Sequence, residues 1–176
     1  MISIRQEIEA DFDDVFDVIF KAFEQVNHSD QSEPFLVNRI RKTKQFIPEL
    51  SLVAIIDEEV IGHILLSKIK IQNEKNSYST LALAPISVLP IYQNVGVGAR
   101  LINAAHQIAK EAGYQSIILI GHKHYYPRFG YQPTENFDIT FPFPVPRENG
   151  MAIELTEGAL THVKGVVVYP RAFFVS

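Results

Sequence analysis

The stretch Ala84–Ile102, APISVLPIYQNVGVGARLI, decides the fold. It reads as the end of a strand, a proline turn, a loop holding Gly96 and Gly98, and the start of an apolar-faced helix. Such a junction aims unpaired backbone N–H groups at one spot, with the positive end of the helix dipole behind them, and suits a phosphate. Gly96 and Gly98 keep side chains out of its way. Two other phosphate loops are excluded. A dinucleotide fingerprint wants a third glycine where Leu101 stands, and a P-loop wants Gly-Lys-Ser/Thr, which is absent here. Two glycines at an ordinary tight turn are the structural alternative for this loop taken alone.

Working outward, Ser51–Ile56 and Val60–Ile71 are β-rich runs around Asp57-Glu58-Glu59 and predict an antiparallel hairpin. Thr80–Val88 is a third strand, and Pro85 within it marks an edge, a bulge or a break in pairing. The helix that begins near Gly96 ends before Gly113, a left-handed cap. Leu101, Ile102, Ala105, Ile108, Ala109 and Ala112 lie on its buried side. Ser116–Ile120 is continuously apolar, as in a strand covered on both faces.

Toward the N-terminus, Ile2 and Ile4 alternate with polar residues in a short opening strand. Asp11 stands as the cap of a helix whose apolar face is Phe12, Val15, Phe16, Ile19, Phe20 and Phe23, a core face rather than a ligand box. Glu24–Glu33, with Asn27, His28, Ser29 and Asp30, is a polar loop. A second helix runs from Pro34 to about Lys44, with Arg39, Arg41, Lys42 and Lys44 as a solvated face. After Tyr125–Tyr131 come the proline-rich loop 142–146 and late strands at Met151–Leu155 and Gly165–Tyr169. There is no repeat, linker or low-complexity tract, so residues 1–176 are expected to form one α+β domain with a largely antiparallel sheet.

Composition narrows the function. The chain of 176 residues is 47% apolar and 20% charged, an ordinary globular balance, with a net charge of −4. That charge disfavours bulk binding to nucleic acid or anionic membrane. The absence of cysteine excludes disulfides, thiolate metal sites and a cysteine nucleophile. His122 and His124 lack a third ligand, so no metal is expected. No apolar run approaches about 18 residues, and Met1–Glu7 carries no leader signature, so a cytoplasmic protein is the expectation.

Gln93-Asn94-Val95-Gly96-Val97-Gly98 fits the Gln/Arg-x-x-Gly-x-Gly/Ala acetyl-CoA pyrophosphate loop of the GNAT N-acetyltransferase superfamily, and Tyr126-Pro-Arg-Phe-Gly-Tyr131 is similar to its Tyr-x-x-x-Gly-aromatic segment. The order of elements from Ile2 to Tyr131 also agrees, and the correctly spaced pair of motifs makes the resemblance specific. It implies a GNAT-like fold, a mostly antiparallel mixed sheet of about six or seven strands flanked by about four helices. It implies transfer of an acetyl group from acetyl-CoA, as co-substrate, to a small-molecule or peptide primary amine. A homodimer is compatible with it. The other reading is an acyl-CoA-binding sensor or interaction module of the same fold that has no turnover.

The resemblance also assigns residues. The strands at Leu83–Val88 and Ser116–Ile120 splay apart, and pantetheine lies between them, pairing with main chain near Ser87–Leu89. Backbone N–H groups of Val95, Gly96, Val97, Gly98 and Ala99 hold the pyrophosphate, with the Gln93 side chain near it. Asn94 and Val95 stand where the family often has Gly and Lys/Arg, which removes a cationic contact. The N–H near Val88 stabilises the oxyanion, and Tyr126 protonates the leaving sulfur. Tyr125 is its competitor, and packing beneath the motif helix is the structural alternative for both rings. No Asp or Glu lies in Thr80–Val88, where family members often place one, leaving His63 and His122 as base candidates. Gln25–Ser32 and the chain beyond Gln132 are the expected specificity walls.

Overall fold

The computed structural model describes residues 1–27 and 29–174; His28 of the polar loop lies outside the described residues. Nine strands form one mixed sheet among the described residues: β1 Ser3–Gln6, β2 Ser51–Ile56, β3 Glu59–Gln72, β4 Ser77–Val88, β5 Ser116–Ile120, β6 Gln132–Pro133, β7 Ile139–Thr140, β8 Gly150–Glu154 and β9 Gly165–Val168. The helices are α1 Phe12–Phe23, α2 Glu33–Arg41 and α3 Val97–Glu111. The main order is β1-β2-β3-β4-β5-β8-β6, while β9 pairs with β3 and β7. Every pairing is antiparallel except β4 with β5 and β7 with β9.

Asp57 and Glu58 both have positive φ, the geometry of a tight hairpin turn that follows strand twist, and so β2 and β3 pair. Between β3 and β4 the register steps from Ile64↔Ile86 to Leu66↔Leu83, so β4 carries an extra residue at Ala84–Pro85. This is the irregularity expected of a proline in a strand. β4 and β5 pair only at Leu81↔Ile117 and Ala82↔Ile118, although both strands continue. A gap therefore opens between Leu83–Val88 and the end of β5.

Gly62 lets α3 lie close on the sheet, since a Cβ there would stand 3.1 Å from Leu101 and 3.3 Å from Val97. The next residue, His63, points to the other face, where it meets Ser51 and, through Glu7, Arg41 of α2. Most of the core gathers around Ile61, Ile64, Leu65, Leu101 and Ile102. A smaller cluster of Ile69, Ile71, Ala82, Ile118 and Val167 fills the far end.

Three expectations change. In α1 the inward stripe is Val15, Val18 and Ile19, while Phe20 is exposed and Phe12 and Phe16 form the rim. Arg41 covers the Phe12 ring at 3.9 Å, and Phe16 meets Phe35 edge-on at 5.3 Å. Asp11 does not cap α1; it accepts from Arg5 at 2.6 and 2.9 Å and from the Ile8 N–H at 2.8 Å, tying the helix entry to β1. Arg39 and Arg41 are not a solvated face. Arg41 is buried against buried Glu7, and Arg39 Nε donates to the Ala172 carbonyl at 2.8 Å, because the C-terminal chain returns over α2.

Candidate active site

The loop before α3 is built by two left-handed residues. Asn94 has φ 63° and Gly96 φ 91°, conformations that Asn tolerates and Gly adopts freely. The first helical bond runs from Arg100 N–H to Gly96 C=O at 3.1 Å, so the N–H groups of Val97, Gly98 and Ala99 have no partner within α3. No side chain caps this end. Gln93 Nε2 instead donates to the Val88 carbonyl at 3.0 Å, and Val95 projects into solvent. The loop is thus clamped onto the end of β4 by Gln93 while its donors stay open.

Val88 faces the gap. Leu89 N–H donates to Ile61 C=O at 2.9 Å, and in an antiparallel ladder the neighbouring residue then turns its N–H and C=O away from the partner strand. The N–H of Val88 is thereby directed to the side where β5 has left the sheet.

Aromatic residues close the other side of the gap. The Tyr125 hydroxyl lies against Gly98, where a Cβ would stand 2.8 Å from it. Tyr126 packs on Gly121, whose missing Cβ would otherwise overlap the ring. Its ring meets Tyr125 at 5.1 Å and Tyr131 at 5.8 Å, both edge-on. Burial, then the neighbouring Tyr125, pushes the Tyr126 pKa up to about 12. Burial raises Tyr125 as well, against the opposing pull of Arg128. Tyr131 is fully enclosed, its hydroxyl 2.8 Å from His106 Nε2, and burial holds that imidazole down at about 4. Among the described residues the Tyr126 hydroxyl, unlike that of Tyr131, makes no hydrogen bond to protein.

The histidines fare differently from one another. His63 is completely buried, 3.0 Å from Ser51 Oγ and 3.7 Å from Glu7 Oε1, and burial with nearby Arg41 drives it down to about 3. It is a neutral member of a buried polar network on the face away from α3, not a base at the gap. His122 is exposed just beyond β5, and its carbonyl accepts the Tyr125 N–H at 3.1 Å. Among the described residues no three His, Cys, Asp or Glu side chains are grouped to hold a metal ion, and no helix is long and apolar enough to cross a membrane.

Two cavities flank the gap. One of about 660 Å³ lies between the end of α1, including Gln25, and Leu89–Ile91. The other, about 190 Å³, is lined by Phe143, Tyr169, Phe173 and Phe174. The chain beyond Gln132, expected from the sequence to form a specificity wall, contains all four of these aromatics, although none of them stands out there individually. The Glu7–Arg41 pair was missed because nothing local signals a partner 34 residues away.

Residues 12–131 match the family model of the acetyltransferase (GNAT) family. The chain is 32% identical over 142 residues to the uncharacterized N-acetyltransferase YjhQ of Escherichia coli, covering 80% of this chain and 76% of that one. It superposes on the crystal structure of the E. coli GNAT N-acetyltransferase YhbS in complex with CoA with TM-score 0.88 and 26% identity, covering 98% and 91% of the two chains. A Brucella melitensis GNAT acetyltransferase in complex with acetyl-CoA is similar at TM-score 0.81 and 29% identity, with 98% of each chain covered.

Proposed function

The chain belongs to the GNAT acetyltransferase family, and from that premise we propose that it transfers an acetyl group from acetyl-CoA to a primary amine by direct attack. The observation that carries the reading is the uncapped N-terminus of α3 at the mouth of the gap between β4 and β5. The similar YhbS and Brucella proteins, which bind CoA and acetyl-CoA, support it. The N–H groups from Val95 to Ala99 hold the pyrophosphate, with Gln93 and Asn94 shaping the loop. Pantetheine enters the gap as an added strand beside β4.

The amine nitrogen attacks the thioester carbonyl carbon, forming the C–N bond and placing negative charge on oxygen. The Val88 N–H, turned into the gap, stabilises that charge. As the C–S bond breaks, Tyr126 delivers its proton to sulfur, giving free coenzyme A. The proton lost by nitrogen leaves through water and restores the tyrosine, so the products are an amide and a thiol. A tyrosine held near pKa 12 stays protonated through the neutral range and is always ready to donate.

One observation favours a non-catalytic acyl-CoA-binding module: Thr80–Val88 contains no carboxylate to take the amine proton. The experiment that separates the two is incubation with acetyl-CoA and a panel of primary amines while free thiol is followed. Amine-dependent thiol release supports transfer. Coenzyme A binding without thiol release supports the module, and absence of binding removes both.

A further inference from the structure

Four aromatic side chains close over the gap on the face opposite α3. Gly62 and Leu81 point toward α3, whereas Ala82 and Ile118 point the other way, into the cluster with Ile69 and Ile71. Phe143 comes from the proline-rich loop; Tyr169, Phe173 and Phe174 come from the chain after β9. Phe143 and Tyr169 stack at 5.8 Å with 21° between planes. Tyr169 meets Phe173 at 5.0 Å and Phe174 edge-on at 6.1 Å. The Arg39 bond to the Ala172 carbonyl pins the backbone beside Phe173 to α2.

Their setting is unusual for packing residues. Phe143 is 38% exposed and Phe174 62% exposed, and the cavity they border reaches Ala84 and Ile120 at the parting of β4 and β5. Among the described residues no charged side chain lines it. A site whose described lining is apolar offers no partner to a second positive charge on the ligand but gains from burying a hydrocarbon body. Apolar cavities of about 150 Å³ accept benzene. The volume here, about 190 Å³, is enough for one ring and little more.

We propose that Phe143, Tyr169, Phe173 and Phe174 form the acceptor subsite, which takes the flat or branched apolar body of a small primary amine whose nitrogen meets the thioester through the gap. This rests on the acetyl-transfer reading. It selects arylalkyl or branched alkyl amines over polyamines and small polar amines.

The test measures kcat/KM with 2-phenylethylamine, ethylamine and spermidine, alongside coenzyme A binding by calorimetry. 2-Phenylethylamine is expected to exceed both other amines by about 100-fold, the scale of burying a ring in an apolar pocket. Phe143→Ala and, independently, Phe174→Ala are expected to lower the phenylethylamine-to-ethylamine ratio about tenfold or more; both positions are partly exposed, so the variants fold, as Tm will verify. Equal use of phenylethylamine and ethylamine with coenzyme A bound would overturn the subsite and leave acetyl transfer standing. A preference for spermidine, or a ratio that neither variant moves, would also overturn it. Loss of coenzyme A binding together with absence of thiol release from every amine would remove the acetyl-transfer reading and the subsite with it.

Discussion

The Tyr125 hydroxyl occupies the space that a side chain at Gly98 would need: a Cβ built there stands 2.8 Å from it. Gly98 lies in α3 with ordinary helical backbone, so it is required for closeness and not for an unusual φ. The relation joins the aromatic segment after β5 to the turn that leaves the N–H groups of Val97, Gly98 and Ala99 without a partner in α3.

Gly98→Ala therefore separates stability from binding. Alanine favours the helix by about 1 kcal/mol over glycine, and the clash is with the end of a side chain that can swing outward. We expect Tm to hold or rise while coenzyme A affinity falls severalfold, because the displaced ring and new methyl crowd the mouth of α3. Adding Tyr125→Phe removes the obstructing oxygen and should restore much of the affinity, a non-additive pair in a double-mutant cycle. Calorimetry on the four proteins checks it, and strict additivity would refute the coupling.

Gly96→Val differs in mechanism. No atom lies within 4 Å of the position a Cβ would take, so space is not the constraint; the φ of 91° is. A β-branched residue in that region costs about 1–2 kcal/mol, or roughly 3–6 °C in Tm for a chain of this size. Coenzyme A affinity should fall beyond what this loss explains, since the methyl groups stand over the free N–H groups. Gly96→Asn, which tolerates left-handed backbone, should keep most of the Tm. If it melts as low as the valine variant, strain is not the cause.

The buried histidines set an acid limit on stability. His63 has its pKa near 3 in the fold, against about 6.5 in an unfolded chain. Below pH 6.5 the unfolded state binds the proton that the folded state refuses. Stability is therefore complete above that pH and is lost as pH falls toward 3, at about 1.4 kcal/mol per unit. At pH 5 the loss from His63 alone is about 2 kcal/mol, and His106, held at about 4, acts in the same direction. Urea unfolding at pH 7.5 and 5.0 should give a smaller difference in His63→Gln than in the parent. An identical difference would mean that other groups carry the acid sensitivity.

Local pattern carried much of this architecture. The hairpin between β2 and β3, the helix from Val97 to Glu111 and the bulge at Pro85 follow from β-branched runs, 3.6-residue periodicity and proline's missing donor. The parting of β4 from β5 came only through resemblance, since no local signal says where parallel pairing stops. Arg41 looked solvated because its partner, Glu7, is brought to it by the sheet. The left-handed turn at Gly96 and the start of α3 just after it were legible from glycine spacing and helical periodicity. The aromatic cage was not: Phe143 and Phe173 lie 30 positions apart, and only the return of the chain over α2 brings them together.

Tyr126→Phe tests the acid directly, because it deletes one oxygen and leaves the ring against Gly121. The hydroxyl has no protein partner among the described residues, so its loss strands no donor and should cost little stability. If Tyr126 protonates the leaving thiolate, the interaction exists in the transition state and hardly in the ground state. Turnover should then fall about 100-fold or more with acetyl-CoA affinity little changed. The deficit should shrink at low pH, where solvent supplies the proton more readily. In the parent enzyme no alkaline loss of rate should come from this group below about pH 11, since burial holds its pKa near 12. Tyr125→Phe should act mainly on coenzyme A affinity, because its hydroxyl sits at Gly98 and not beside Gly121. Should Tyr125→Phe be the variant that loses turnover, the donor is the residue at the helix mouth. Should neither variant slow the reaction, sulfur takes its proton from water and Tyr126 serves only to pack the gap.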